Sequence, residues 1–292
     1  MTISEPGDAI VTRFAPSPTG RLHLGHAFSA LQSHDLARDA GGRFLLRIED
    51  IDPGRSRASF VADIVADLHW LGLAWDEEPV HQSTRLDAYH AALGALGAAG
   101  LLYPCFCTRA DIAAAASAPH GPDGAVYPGT CRDLDPAERA RRMADEPHAW
   151  RLAMDKAVAF VGPIAWHDAA AGEMRAEPAR FGDIVLARKD APASYHLAVT
   201  VDDAWQRVTD VVRGIDLFEA THIHRLLQAL LGLATPRYHH HALLADTAGR
   251  RLAKRDGAPT IAALREAGAD PHALVADLRA GRMPVGLSAA PA

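Results

Sequence analysis

The segment Arg13 to His26 reads RFAPSPTGRLHLGH. Two imidazoles three residues apart, His23 and His26, fall on one face of a helix and can donate hydrogen bonds to a single phosphate group. The turn before them carries Pro16, Pro18 and Gly20. It would deliver the chain to a helix N-terminus, whose free N–H groups and partial positive charge suit phosphate. Gly25 would let a flat ring such as adenine approach the backbone closely. An HxGH pattern alone is more often a pair of ordinary helix residues; PSPTG directly upstream turns the reading toward phosphate.

All three cysteines sit in one stretch, Cys105, Cys107 and Cys131, separated by a Pro/Gly-rich piece. Three thiolates can hold zinc, but a tetrahedral structural site wants a fourth ligand. Tyr127 and His120 are both available, and on chemistry alone imidazole is the commoner choice. The alternative is three buried, unliganded thiols. A further cluster, Arg250 to Arg255 (RRLAKR), puts four basic residues in six. By itself it reads as a solvated face.

These groups need a scaffold. Val11 to Ala15 predicts a strand, Gly25 to Ala40 a helix stopped by Gly41-Gly42, and Arg43 to Glu49 a buried strand. Strand, helix and strand within that span predict a βαβ unit and a parallel sheet. Phe60, Ile64, Leu68 and Leu71 mark one face of a helix ending at Gly72, and Ser83 is placed to cap another running to Gly100. Short strand-like runs follow at Trp150–Met154, Ile184–Arg188, Tyr195–Val201 and Val208–Val212. Ile223, Leu226, Leu227, Leu230 and Leu231 predict an amphipathic helix. The run His239 to His241 reads as a strand lining a cleft. Short helices are expected from Thr260 and from Asp270-Pro271, then an unstructured tail over 282–292.

The expected fold is α/β, a Rossmann-type doubly wound parallel sheet with an inserted zinc-binding subdomain and short C-terminal helices. Residues 10–104 and 194–245 are expected to form the two halves of one domain, 105–193 the insertion, and 246–281 the basic loop and closing helices. Of 292 residues, 49% are hydrophobic and 23% charged, which excludes wholesale disorder. The formal charge of −6 argues against indiscriminate coating of nucleic acid, though not against a local basic site. No leader or membrane segment is apparent and the cysteines are too few for a disulfide framework, so a cytoplasmic protein is expected.

The Arg13–His26 segment resembles the signature of class I aminoacyl-tRNA synthetases, with HLGH in the "HIGH" position. RFAPSPTG is similar to the opening of glutamyl-tRNA synthetases; glutaminyl enzymes usually show Pro and Glu where Ala15 and Ser17 stand. RRLAKR resembles the "KMSKS" loop, which implies that Lys254 neutralises ATP phosphates as pyrophosphate leaves. Arg251 and Ala253 depart from that pattern, which puts one ATP hydrogen bond in doubt. The resemblance implies a catalytic set of His23, His26 and Lys254. It implies an ATP site of Pro16, Ser17, Gly20, His23, Gly25, His26 and Lys254, with Mg²⁺ accompanying ATP.

A glutamate site needs cations for two carboxylates and an acceptor for the ammonium, and an Arg left unpaired rejects neutral competitors. The resemblance implies that Arg13, Phe14, Ala15, Pro16, Ser17, Glu49, Tyr195 and Arg213 form it, leaving open which arginine takes the side-chain carboxylate. Tyr127-Pro128-Gly129-Thr130-Cys131 matches the CxC…YxxxC zinc pattern of the glutamyl-Q tRNA(Asp) synthetase family, which implies Tyr127 as fourth ligand.

After Lys254 only residues 255–292 remain, where full glutamyl-tRNA synthetases carry anticodon-binding domains. A compact chain of this length has a radius of gyration of about 19 Å, too small to reach both ends of a tRNA. Overall the chain resembles the glutamyl-Q family. Its partners would then be ATP, L-glutamate and tRNA(Asp) carrying queuosine, and the protein a monomer. A truncated synthetase charging a tRNA 3′ end, or a noncatalytic zinc protein that binds ATP or glutamate, stay open as alternatives.

Overall fold

The computed structural model describes residues 9–108, 110–112, 120–121, 124–246, 259–281 and 287–289. Lys254 and its basic neighbours lie outside the described residues.

The chain opens with β1 (Val11–Phe14), α1 (Leu24–Asp39) and β2 (Arg43–Ile48). β1 runs parallel to β2, as the βαβ pattern requires. All four β1 residues are buried, and β2 is buried from Phe44 onward. Gly42 makes the return possible: a Cβ there would meet the Ile10 carbonyl oxygen at 2.0 Å. α2 (Ala58–Trp70) buries Ile64 and Leu68, and the chain leaves it through Gly72 at φ +72°. β3 (Val80–His81) extends the parallel sheet beside β2. Ser83 does not cap α3 (Leu86–Ala98); Arg85 stands at that position. Ser83 bonds instead to Asp50, its N–H donating to Oδ1 and its hydroxyl to Oδ2 at 2.8 Å each.

Next come β4 (Leu102–Cys105), the short hairpin β5 (His120–Gly121) and β6 (Gly124–Ala125), α4 (Pro136–Asp145), β7 (Ala149–Leu152) and α5 (Met154–Val161). The hairpin β8 (Ala165–Asp168) and β9 (Gly172–Arg175) precedes β10 (Val185–Ala187). β4, β7 and β10 form an antiparallel sheet. The remaining elements are α6 (Tyr195–Trp205), β11 (Asp210–Gly214), α7 (Ala220–Leu231), β12 (Arg237–His241), β13 (Leu244–Asp246), α8 (Ile261–Glu266), α9 (Pro271–Arg279) and β14 (Leu287–Ala289).

A second sheet has the order β11-β12-β8-β9, parallel except for its edge strand β9. Thr209 N donates to Val11 O at 3.0 Å and Val11 N to Thr209 Oγ1 at 2.8 Å, which sets β11 beside β1. The chain is therefore an α/β protein built on parallel strands. The β8–β9 hairpin, from within the expected insertion, pairs with β12 of that sheet.

Two further expectations fail. Tyr195–Val201 is helical, not a strand: the Ser194 side chain caps α6, and Leu197 and Ala198 pack into a core shared with Ile223, Leu226 and Leu227 of α7. Capping and tertiary packing override the β-branched residues that suggested a strand. Residues 287–289, expected to be unstructured, pair antiparallel with β13. The closing helices start where expected, at Thr260 and Asp270, each side chain accepting from the first turn.

Asp202, on α6, fixes the β3–α3 region to this core. It is fully buried and accepts from Gln82 Nε2 at 3.0 Å, Arg85 Nε at 2.6 Å and Tyr89 Oη at 2.6 Å. Asp202→Ala leaves Arg85 and two neutral donors without their acceptor, and should cost about 3–5 kcal/mol of stability in urea unfolding. Among the described residues no helix is long and apolar enough to cross a membrane.

Candidate active site

A cavity of about 650 Å³ opens where β1, β2, β11 and β12 end. Carboxyl ends of parallel strands are where open α/β sheets bind ligands. The end of β1 contributes Arg13 and Phe14, the loop after it Ala15, Pro16 and Ser17, and the cap and first turn of α1 His23, Gly25 and His26. Glu49, Tyr195 and Arg213, expected with them around the amino acid, also line it. Gly20 does not line the cavity. Ser29, Asp216, His241 and Leu243 do, and sequence reasoning had not assigned them. The strand expected at His239–His241 does line this cleft, through His241.

The proline turn is held from outside: Glu49 N donates to Pro16 O at 3.0 Å, and Arg57 N to Pro18 O at 3.1 Å. His23 is not in the helix. It is the N-cap of α1, in extended backbone at φ −124°. Its Nδ1 accepts from Gly25 N at 3.1 Å, while His26 Nδ1 accepts from His23 N at 3.2 Å. This reciprocal cap uses imidazoles in place of the usual Ser and Glu. An Nδ1 that accepts carries no proton, so each neutral ring holds its proton on Nε2 as a donor. The two ring centroids lie 3.8 Å apart. Gly25 is needed here: a Cβ would meet His23 Cε1 at 2.9 Å.

The other end of the cavity holds charge. Arg13 Nε and Nη2 donate to the two oxygens of Asp203 at 2.9 and 3.4 Å. Arg47, fully buried, donates from Nη1 to Asp203 and Gln206 at 2.8 Å each, and from Nη2 to Glu49 Oε1 at 3.4 Å. Burial raises the Asp203 pKa, but Arg13 and Arg47 pull it below the usual carboxylate range. Glu49 goes the other way. Its burial outweighs Arg47 and Arg13, and its pKa is pushed up to about 7.

Arg213 differs from Arg13. Its Nε donates to His240 Nε2 at 3.2 Å, Nη1 to His224 Nδ1 at 3.1 Å and Nη2 to Thr221 Oγ1 at 2.6 Å. All three acceptors are neutral. Burial first, then Arg213, lowers the His240 pKa to about 4, and the same causes hold His224 well below its ordinary value. A guanidinium has five N–H donors. Among the described residues Arg213 is thus anchored without a carboxylate partner, with donors left for an anionic ligand. Tyr195 packs edge-on against His224, centroids 5.6 Å apart.

Residues 9–288 match the family described as tRNA synthetases class I (E and Q), catalytic domain. The chain belongs to this family of class I synthetases. It is 52% identical over 284 residues to a glutamyl-Q tRNA(Asp) synthetase of Rhodobacter capsulatus, covering 92% of this chain and 98% of that one. A relative of the same name from Symbiobacterium thermophilum is 48% identical over 278 residues, covering 91% and 84%. Among solved structures, a glutamate tRNA ligase from Elizabethkingia meningosepticum, in complex with its amino acid, superposes with a TM-score of 0.78 at 28% identity. That match covers 93% of this chain, which spans 60% of the ligase chain.

The synthetase also gathers its cysteines. The sulfurs of Cys105, Cys107 and Cys131 all lie within 4.8 Å of one another. Tyr127 Oη sits 3.4 Å from Cys105 Sγ and 3.6 Å from Cys107 Sγ, and accepts from Cys131 N at 2.8 Å. A tetrahedral ion with bonds of about 2.3 Å places its sulfurs about 3.8 Å apart; Cys107 and Cys131 stand at 3.5 Å. The donor set therefore fits zinc, with the tyrosine oxygen at the fourth corner. The Arg151 guanidinium lies 3.8 Å over the Tyr127 ring, while burial and hydrogen bonds with the three cysteines push the Tyr127 pKa up. His120 belongs to the β5–β6 hairpin, its backbone paired with Ala125.

Proposed function

We propose that this synthetase activates L-glutamate with ATP as glutamyl-adenylate and transfers the glutamyl group to the queuosine base of tRNA(Asp). The carrying observation is the cavity itself. It is lined by a buried guanidinium whose described partners are neutral, a buried carboxyl group and two imidazoles with Nε2 as donor. The names of relatives at 48–52% identity support the acceptor.

Arg213 takes the side-chain carboxylate, because Arg13 is already paired with Asp203. Glu49 accepts from the ammonium. In the first step a substrate carboxylate oxygen attacks the α-phosphorus, the bond to the bridging oxygen breaks, and pyrophosphate leaves. His23, His26 and Lys254 stabilise the phosphate charge. Mg²⁺ arrives with ATP as part of that substrate. In the second step a hydroxyl of the queuosine ring attacks the acyl carbon and AMP leaves, without a covalent enzyme intermediate.

Pyrophosphate exchange tests the first step. Glutamate should support exchange, while glutamine and aspartate give background. Equal exchange with glutamine would overturn the assignment of Arg213.

Zinc held by Cys105, Cys107, Tyr127 and Cys131 would staple β4 to the following loop. Cys131→Ser should lose the bound zinc in elemental analysis and lower the thermal midpoint, since metal binding and folding are coupled. A zinc content equal to that of the unaltered protein would refute the ligand set.

A further inference from the structure

Behind Arg213 lies a polar chain that never reaches the cavity. His240 Nδ1 stands 2.7 Å from Asp168 Oδ2, and both side chains are almost completely buried. The other oxygen of Asp168 accepts from Ala170 N at 3.0 Å and Ala171 N at 2.9 Å, at the β8–β9 turn. An ionised carboxylate only accepts, so the His240 proton sits on Nδ1 and its Nε2 carries a lone pair. That lone pair is what Arg213 Nε meets at 3.2 Å. His224 repeats the arrangement: Nδ1 accepts from Arg213, and Nε2 donates to His196 Nδ1 at 3.1 Å.

The contrast with Arg13 gives this chain its meaning. A carboxylate in direct contact, shared with Arg47, offsets the charge of Arg13. Among the described residues no carboxylate bonds Arg213 directly; Asp168 stands behind it, one imidazole away. The guanidinium is fixed in orientation yet keeps its charge for a ligand.

We propose that Asp168 and His240 are positioning residues for amino-acid selection: Asp168 fixes the His240 tautomer, and His240 orients Arg213 without neutralising it, so that an acidic side chain is preferred over its amide. This rests on Arg213 taking the side-chain carboxylate.

Asp168→Asn is nearly isosteric. Its oxygen can keep the turn amides, but its NH₂ then faces His240 Nδ1. The imidazole must move its proton to Nε2, where N–H opposes the Arg213 N–H. In pyrophosphate exchange the variant should raise KM for L-glutamate about tenfold or more, the loss of one charge-assisted hydrogen bond. KM for ATP should be unchanged, and preference for glutamate over glutamine should fall. His240→Gln offers an amide N–H to Asp168 and an oxygen to Arg213, so it should stay within about threefold of the unaltered KM.

Nitrogen-15 spectra of the histidine rings give a reading independent of turnover: His240 should carry its proton on Nδ1 in the unaltered protein and on Nε2 in Asp168→Asn. An Nε2 proton in the unaltered protein would overturn the proposal. So would an Asp168→Asn variant with unchanged KM for glutamate, or one whose two KM values rise together. Arg213→Gln separates the layers. If its KM for glutamate is unchanged, the substrate reading itself fails; if it rises while Asp168→Asn has no effect, only the relay fails.

Discussion

Arg213→Gln is expected to raise KM for L-glutamate by two to three powers of ten, with KM for ATP little altered. The residue is 5% exposed and lines the cavity, yet its three partners, His240, His224 and Thr221, are all neutral. A carboxylate bound bidentately by such a guanidinium gains two charge-assisted hydrogen bonds. Their loss costs about 3–4 kcal/mol, which is the stated change in KM. Arg13→Gln should act differently. It strips a partner from buried Asp203, so its larger effect should be on stability. Steady-state kinetics of pyrophosphate exchange, with the substrates varied in turn, separates the two.

Glu49→Gln carries the second large effect, and its sign depends on pH. Burial raises the Glu49 pKa from 4.5 to about 7 in the unliganded protein. Binding an ammonium requires the ionised form, so KM for glutamate should fall as pH rises through about 7 and then level. The variant should bind glutamate weakly at every pH and lose that dependence. Stability runs the opposite way. Below 4.5 the side chain is protonated folded and unfolded, and Gln mimics it. Between 4.5 and 7 the unfolded chain ionises while the folded one does not, so the unaltered protein loses stability with rising pH. Above 7 the gap is complete. The variant should then be more stable by about 3 kcal/mol, read from urea unfolding at the two ends of the window. An acid kept at a site where it destabilises the fold is what recognition of a cation there requires.

The parts of this site that the sequence made legible are local ones. In RFAPSPTGRLHLGH the turn, the helix start and the imidazole pair lie within one span, and β1 and α1 form where that span predicts. Thr260 and Asp270 announced their helices through caps. Arg47 was not singled out, although RIED contains it beside Glu49. In a parallel strand both faces are buried, so alternation cannot show that its guanidinium reaches inward to Asp203, 156 positions away. Asp168 and His240 are separated by 72 positions and Arg213 and His224 lie on different elements; the pairing of β8 with β12 brings Asp168 to His240, and that of β11 with β12 brings His240 to Arg213. Tyr195 lines the cavity from a helix where a strand is expected, because its Val- and Thr-rich surroundings mimic a strand. Position in the cavity came from the family pattern, and conformation from packing that no local window contains.

The acceptor decides the account. The direct measurement supplies ATP, labelled L-glutamate and purified tRNA(Asp), either carrying queuosine or lacking it, and locates the label. The account predicts glutamate only on the queuosine-bearing tRNA, retained after the 3′ end is removed and recovered with the modified base. Label at the 3′ end of tRNA lacking queuosine would contradict it.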